Sequence, residues 1–252
     1  MDYRRPDKRE RKSLPRKPVP SILKLSAVLF DIDGTLTDSV DVHALAWQEA
    51  LRHFRHEVAY ERVRSQIGKA GDQLLKTLLS RNDLEAQQEE IDQFRGDLFK
   101  KKYQHLIRPL AMVPELFKRI KEDTGAKIVL ASSAKQDEVE AYEKLLGVAD
   151  LVEHKTSSDD AAQSKPHPDI FAAAMERLGN PPAHQVIAIG DTPYDAQATA
   201  QISIACVGVL SGGWTEQALR EAGCINVFRS PSDLYARFDE SPFAGFKMQK
   251  AA

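Results

Sequence analysis

Two aspartates one residue apart, Asp31 and Asp33, end an apolar run and precede a glycine turn in Phe30-Asp31-Ile32-Asp33-Gly34-Thr35-Leu36-Thr37-Asp38-Ser39. The turn at Gly34 can bring both carboxylates to one site. One can then attack phosphorus while the other hands a proton to the leaving oxygen. Thr35 and the local amides can hold phosphate oxygens. A short Asp-Gly turn with only local hydrogen bonds is the alternative for an isolated Asp-x-Asp, and the longer pattern argues against it.

Three further groups of residues supply what such chemistry needs. Lys127-Ile128-Val129-Leu130-Ala131-Ser132-Ser133 is an apolar run ending in hydroxyls, and Ser132, with Ser133 as the alternative, can hydrogen-bond a phosphate oxygen as charge shifts. Lys165, in Ser164-Lys165-Pro166-His167-Pro168-Asp169, offers an ammonium to offset the repulsion between a carboxylate and a phosphate. Val186-Ile187-Ala188-Ile189-Gly190-Asp191-Thr192-Pro193-Tyr194-Asp195 again sets acids after an apolar run. Such acids suit magnesium, which prefers hard oxygen ligands. Each group has a plainer reading alone: a turn serine, a solvated lysine, and Asp195 as a helix cap. Their combination favours a phosphoryl-transfer site.

These residues need elements to position them. Ala27–Phe30, Lys127–Ala131, Val186–Ile189 and Ile204–Val209 are short and, apart from Lys127, apolar, as strands buried on both faces of a parallel sheet are. Leu151–Val152 is a further short strand candidate. Helical periodicity marks 39–54, 113–122, 137–146, 169–178 and 194–201. It also marks 63–67, 74–79 and 91–103, with no strand between 40 and 107. The fold class expected is α/β: a doubly wound parallel-sheet, Rossmann-like core split by an α-helical insert. Ligands then belong at the carboxyl ends of the strands, where the acids stand.

The four motifs, in this order, resemble those of the haloacid dehalogenase (HAD) superfamily, in its phosphoglycolate phosphatase and β-phosphoglucomutase-like branch. The resemblance covers the chain after residue 21. It implies that Asp31 is the nucleophile that becomes an aspartyl phosphate and Asp33 the general acid and base. It implies a Mg2+ site formed by Asp31, the Asp33 carbonyl, Asp191 and Asp195, the last as ligand or support. Ser132 and Lys165 match the phosphate-binding hydroxyl and the catalytic lysine. The dehalogenase branch lacks the second aspartate, so Asp33 argues for phosphate esters. The insert 40–107 resembles a C1 cap, and Gln66-Ile67-Gly68-Lys69-Ala70-Gly71-Asp72 resembles its substrate-specificity loop. Lys69 is thereby a substrate contact or part of a simple turn; Arg64 and Asp72 are weaker candidates. Family members often carry a histidine near the position of His43, which also reads as an ordinary helix residue, with Trp47 and Phe54 as core.

The core is expected over 22–39 and 108–240, with a C-terminal tail over 241–252. Residues 1–21 are rich in Arg, Lys and Pro and are expected to be a disordered basic tail. The formal net charge of -2 gives no general attraction to nucleic acid. No apolar run approaches the roughly 20 residues that span a membrane. With only Cys206 and Cys224, no disulfide framework is expected, and the reading is cytoplasmic. The expected function is hydrolysis of small phosphomonoesters, of phosphoglycolate or sugar-phosphate type. The competing readings are a phosphosugar mutase and a catalytically silent metabolite-binding protein.

Overall fold

The computed structural model describes residues 24–246; the basic segment 1–21 and residues 247–252 lie outside the described residues. Among the described residues eight strands form in chain order: β1 Ala27–Phe30, β2 Thr37–Asp38, β3 Arg108–Pro109, β4 Lys127–Ala131, β5 His154–Thr156, β6 Val186–Gly190, β7 Ala205–Val209 and β8 Asn226–Phe228. Six of them make one sheet in the order β5-β4-β1-β6-β7-β8, every pairing parallel. The helices are α1 Val40–His53, α2 Tyr60–Arg64, α3 Gly71–Leu78, α4 Arg81–Leu98, α5 Val113–Thr124, α6 Gln136–Leu146, α7 Asp169–Arg177, α8 Pro193–Gln201, α9 Glu216–Glu221 and α10 Pro231–Ala236.

The alternation of side chains along the strands builds two cores. Val28, Phe30, Ile128, Leu130, Ile187 and Ile189 pack with α5, α6 and α10 on one face. Ala27, Leu29, Val129, Ala131 and Ala188 pack with α7 and α8 on the other. Strands buried on both faces between helical layers make this a doubly wound α/β fold. Phe30 is level with Leu130 of β4 and Ile189 of β6, so the loops after these three strands open side by side at the carboxyl edge.

Helices α1 to α4 lie between β2 and β3, which pair antiparallel as Thr37 with Pro109 and Asp38 with Arg108. This helical insert has its own core of Trp47, Leu51, Val63, Leu74, Leu75 and Ile91. α4 starts well before the apolar positions that suggested a helix from residue 91, because the Ser80 side chain accepts from the Asp83 amide and starts a polar helix. Beyond Leu98 it runs on as a wider turn over Phe99–Tyr103.

The strand expected at Leu151–Val152 is displaced. Ala149–Leu151 is a tight helical turn, and the edge strand forms at His154–Thr156, where it need not be apolar throughout. Residues 241–246, expected as tail, form a helical turn over Pro242–Phe246 instead. Phe243 is buried there and stacks on Phe238 at 5.4 Å, which gives the turn an apolar anchor. Among the described residues, no helix is long and apolar enough to cross a membrane.

Candidate active site

Asp31 leaves the end of β1 and is buried, 4% exposed. Lys165 reaches it from the loop before α7, with Nζ 2.5 Å from Asp31 Oδ1 and 2.7 Å from Asp195 Oδ1. Thr35 Oγ1 stands between two carboxylates, 3.2 Å from Asp31 Oδ2 and 3.0 Å from Asp191 Oδ1. Burial pushes the Asp31 carboxyl up to about 7; Lys165 works against this, while the charges of Asp195 and Asp33 add to it. Asp191 is raised well above the usual carboxylate range by burial and by Asp31 and Asp195. Burial alone would lower Lys165, but the two carboxylates beside it hold its ammonium above the ordinary value.

This centre fits a divalent cation. Asp31, Asp191 and Asp195 each bring one oxygen to within 4.8 Å of the others. Once all three acids are ionised, the Lys165 ammonium leaves two of their negative charges unbalanced. Asp191 Oδ2 is buried without a hydrogen-bond partner, the kind of orphan a hard cation satisfies. The backbone leaves room around it: a Cβ on Gly212 would lie 1.6 Å from Asp191 Oδ2, and one on Gly34 would lie 2.4 Å from it. Asp195 is shared between the site and its helix, because its Oδ2 accepts from the Thr192 amide and hydroxyl in a capping box that starts α8.

Asp33 faces away from that cluster. Its Oδ1 accepts from Ser39 Oγ at 2.6 Å and lies 2.9 Å from His43 Nε2. Burial raises this carboxyl, but the hydrogen bonds from His43 and Ser39, with the Arg95 charge nearby, outweigh it and hold the group below its ordinary value. His43 Nε2 is also 2.9 Å from the Tyr142 hydroxyl, and its Nδ1 meets the Arg95 guanidinium. Arg95 in turn pairs with Glu138 at 3.4 Å. A buried polar chain therefore runs from Asp33 through α1 and α4 to α6.

The remaining expected residues divide by position. Ser132 is fully buried after β4 and its Oγ accepts from the Ala134 amide at 3.1 Å. Ser133 lines the cavity above Asp31 and Asp33 and donates to the Gly68 carbonyl at 3.3 Å. Lys69 also lines the cavity, with Nζ 2.7 Å from Gln66 Oε1 and 4.6 Å from the centre of the Tyr194 ring. Thr35, expected to hold phosphate oxygens, has its hydroxyl engaged between the two carboxylates. Asp72 accepts from Ser164 Oγ at 2.7 Å, and Arg64 donates to the Gly212 carbonyl at 3.3 Å. With Tyr194 donating to the Ser65 carbonyl at 2.8 Å, these contacts seat the helical insert on the strand ends. The cavity between them holds about 840 Å³.

For His43 the sequence left open both a position that family members share and an ordinary helix residue, and it did not mark Arg95, Glu138 or Tyr142. One signal was present. Ile91, Arg95 and Phe99 recur at four-residue spacing and all are buried, so the arginine occupies a position on an inward stripe where a charged side chain needs a partner.

A family model described as haloacid dehalogenase-like hydrolase matches residues 25–202. Over 219 residues the chain is 25% identical to the pyrophosphatase PpaX of Bacillus pumilus, covering 84% of this chain and 95% of that protein. It is 26% identical to a phosphoglycolate phosphatase of Pseudomonas syringae, covering 73% of this chain and 69% of that one. The crystal structure of a hydrolase from Pseudomonas syringae superposes with a TM-score of 0.76 at 31% identity, over 85% of this chain and 98% of the other. With the family model spanning all four motifs and the acids gathered at the strand ends as its fold requires, the chain belongs to the haloacid dehalogenase-like hydrolases.

Proposed function

We propose that the protein is a Mg2+-dependent phosphatase for small phosphomonoesters that works through an aspartyl phosphate on Asp31. The observation that carries this reading is the fully buried Lys165 ammonium held between Asp31 and Asp195, beside the unpartnered oxygen of Asp191. Mg2+, held by Asp31, Asp191 and Asp195 with the Asp33 carbonyl, would neutralise phosphate charge when bound.

An Asp31 carboxylate oxygen forms a bond to phosphorus while the bond from phosphorus to the leaving oxygen breaks. Asp33 gives that oxygen its proton. A water then attacks the phosphorus of the acyl phosphate, Asp33 takes the proton, and Asp31 is released with inorganic phosphate. The low proton affinity that His43 and Ser39 give Asp33 suits the second half. An arriving phosphate dianion raises that affinity and suits the first. Lys165 holds Asp31 and offsets phosphate charge, Ser132 steadies a phosphate oxygen, and the helical insert serves as a cap that excludes water and presents Lys69 to the leaving group. The free, buried Cys206 and Cys224 accord with a cytoplasmic setting.

The test is hydrolysis of p-nitrophenyl phosphate with and without Mg2+, for the wild-type chain and for Asp31→Asn. Magnesium-dependent release that the variant loses by at least about a thousandfold supports the reading. Absence of hydrolysis across a panel of phosphoesters points to a binding role instead. Isomerisation of β-glucose 1-phosphate without net phosphate release would replace hydrolysis by a mutase reaction.

A further inference from the structure

Two helices from different parts of the chain face each other behind Asp33. α4 and its continuation belong to the insert, whereas α6 follows the loop that carries Ser132. Three ion pairs join them: Asp92 with Lys135 at 3.1 Å, Arg95 with Glu138 at 3.4 Å, and Lys100 with Asp137 at 2.5 Å. The outer two are substantially exposed, and pairs of that kind hold little. The middle one is buried, with Arg95 8% exposed and Glu138 1%. Separating a buried pair leaves an uncompensated charge behind. This pair is made when the insert sits on the core, and it opposes lifting.

What the pair holds in place bears on Asp33. The Arg95 guanidinium lies 4.8 Å from the centre of the Phe99 ring and 5.2 Å from that of Trp47, and the His43 ring stacks on the same Phe99 at 4.4 Å. Glu138 fixes the guanidinium on one side, while Nδ1 of His43 accepts from it on the other. One helical turn beyond Glu138, Tyr142 sets its hydroxyl 2.9 Å from His43 Nε2. α6 therefore reaches the imidazole twice, once directly and once through Arg95. Without the Glu138 charge the guanidinium is free to move toward Asp33, and His43 loses the contact that orients it. We propose that Glu138 is a positioning residue for proton transfer by Asp33, and that its pair with Arg95 joins seating of the insert to the orientation of His43. The proposal rests on the phosphatase reading and deepens it: the acid and base is held ready only while the insert is seated.

Glu138→Gln keeps the size and removes the charge, and two esters of similar shape test it. p-Nitrophenolate leaves as a stable anion, whereas the more basic phenolate gains from the proton that Asp33 gives. For phenyl phosphate the variant should lose roughly tenfold or more in kcat/KM, within what general acid catalysis contributes. For p-nitrophenyl phosphate it should lose much less. A defect of packing alone lowers both alike. NMR of protein carrying isotope-labelled histidine, recorded at alkaline pH, gives a second reading. The His43 signal, identified by its loss in His43→Asn, should report the Nε2–H tautomer in the wild-type chain and a mixture in Glu138→Gln. Equal losses with the two esters, or an unmoved His43 signal, overturns the proposal. Should Glu138→Gln not fold, Glu138→Asp, which shortens the reach to Arg95, carries both measurements. Wild-type protein that hydrolyses neither ester would sink the phosphatase reading separately, and the NMR comparison still decides whether Glu138 orients His43.

Discussion

The guanidinium of Arg95 on α4 donates to Nδ1 of His43 on α1. Because a guanidinium can only donate, Nδ1 must accept, and the imidazole proton sits on Nε2, facing Asp33. A residue of the helical insert thus sets the tautomer of the histidine that holds Asp33, the acid and base proposed above. Removing Arg95 frees His43 to turn its lone pair toward Asp33, and the carboxyl loses a donor and a positive charge. Its proton affinity rises.

For Arg95→Gln the expected result is a fall in kcat of roughly 10- to 100-fold, within the ~10²–10⁴ that general acid–base catalysis contributes. The rising limb of the pH–rate profile should move to higher pH, since Asp33 must be ionised to accept a proton from water. An unshifted limb would show that Arg95 acts only through packing.

Lys165→Met leaves Asp31 and Asp195 buried without their cation. Unpairing a buried charge costs about 3–5 kcal/mol. Urea unfolding in the presence of a chelator should show a loss of this order at pH 7.5 and a smaller one at pH 5.5, where the carboxylates can take up protons. An equal loss at both pH values would contradict this account of the centre.

Gly212→Ala tests the ion site by shape alone, because its Cβ would intrude on Asp191 Oδ2. The Mg2+ concentration that half-activates the enzyme should rise about tenfold or more, the scale seen when the surroundings of metal ligands are disturbed. Gly245→Ala, where an added Cβ meets nothing within 4 Å, is the control.

The acids also tie stability to pH. Asp31 holds its proton up to about 7 in the fold, against an ordinary value of 3.8. The stability that proton confers is complete below the ordinary value and is lost as pH rises through about 7. A divalent ion binds the ionised acids and so compensates most at high pH. Thermal melts with and without Mg2+ should therefore show a larger increase in Tm at pH 8 than at pH 5.5. A shift independent of pH would count against these carboxylates as ligands.

What could be read from sequence followed from burial. β1, β4 and β6 lie inside the sheet, so their apolar runs are uninterrupted, and the reactive residues stand directly after them. β5 and β8 lie at the edges, where His154, Lys155 and Asn226 are tolerated, and no run marked them. The start of α4 was hidden by its polar face. The chain from Asp33 to Glu138 could not be read, because Arg95 and Glu138 are 43 positions apart and His43 and Tyr142 are 99 apart. Only the folded insert brings these residues together.

The ribbon of β2 and β3 has a consequence for how this chain can diversify. Everything from Val40 to Ile107 leaves and rejoins the sheet across one pair of strands two residues long. Its two ends are neighbours, so a helical segment of different length or composition can be exchanged as one unit without re-registering β1, β4 or β6. Asp31, Asp33, Lys165, Asp191 and Asp195 all lie outside that segment, and it meets their centre through His43, which reaches Asp33.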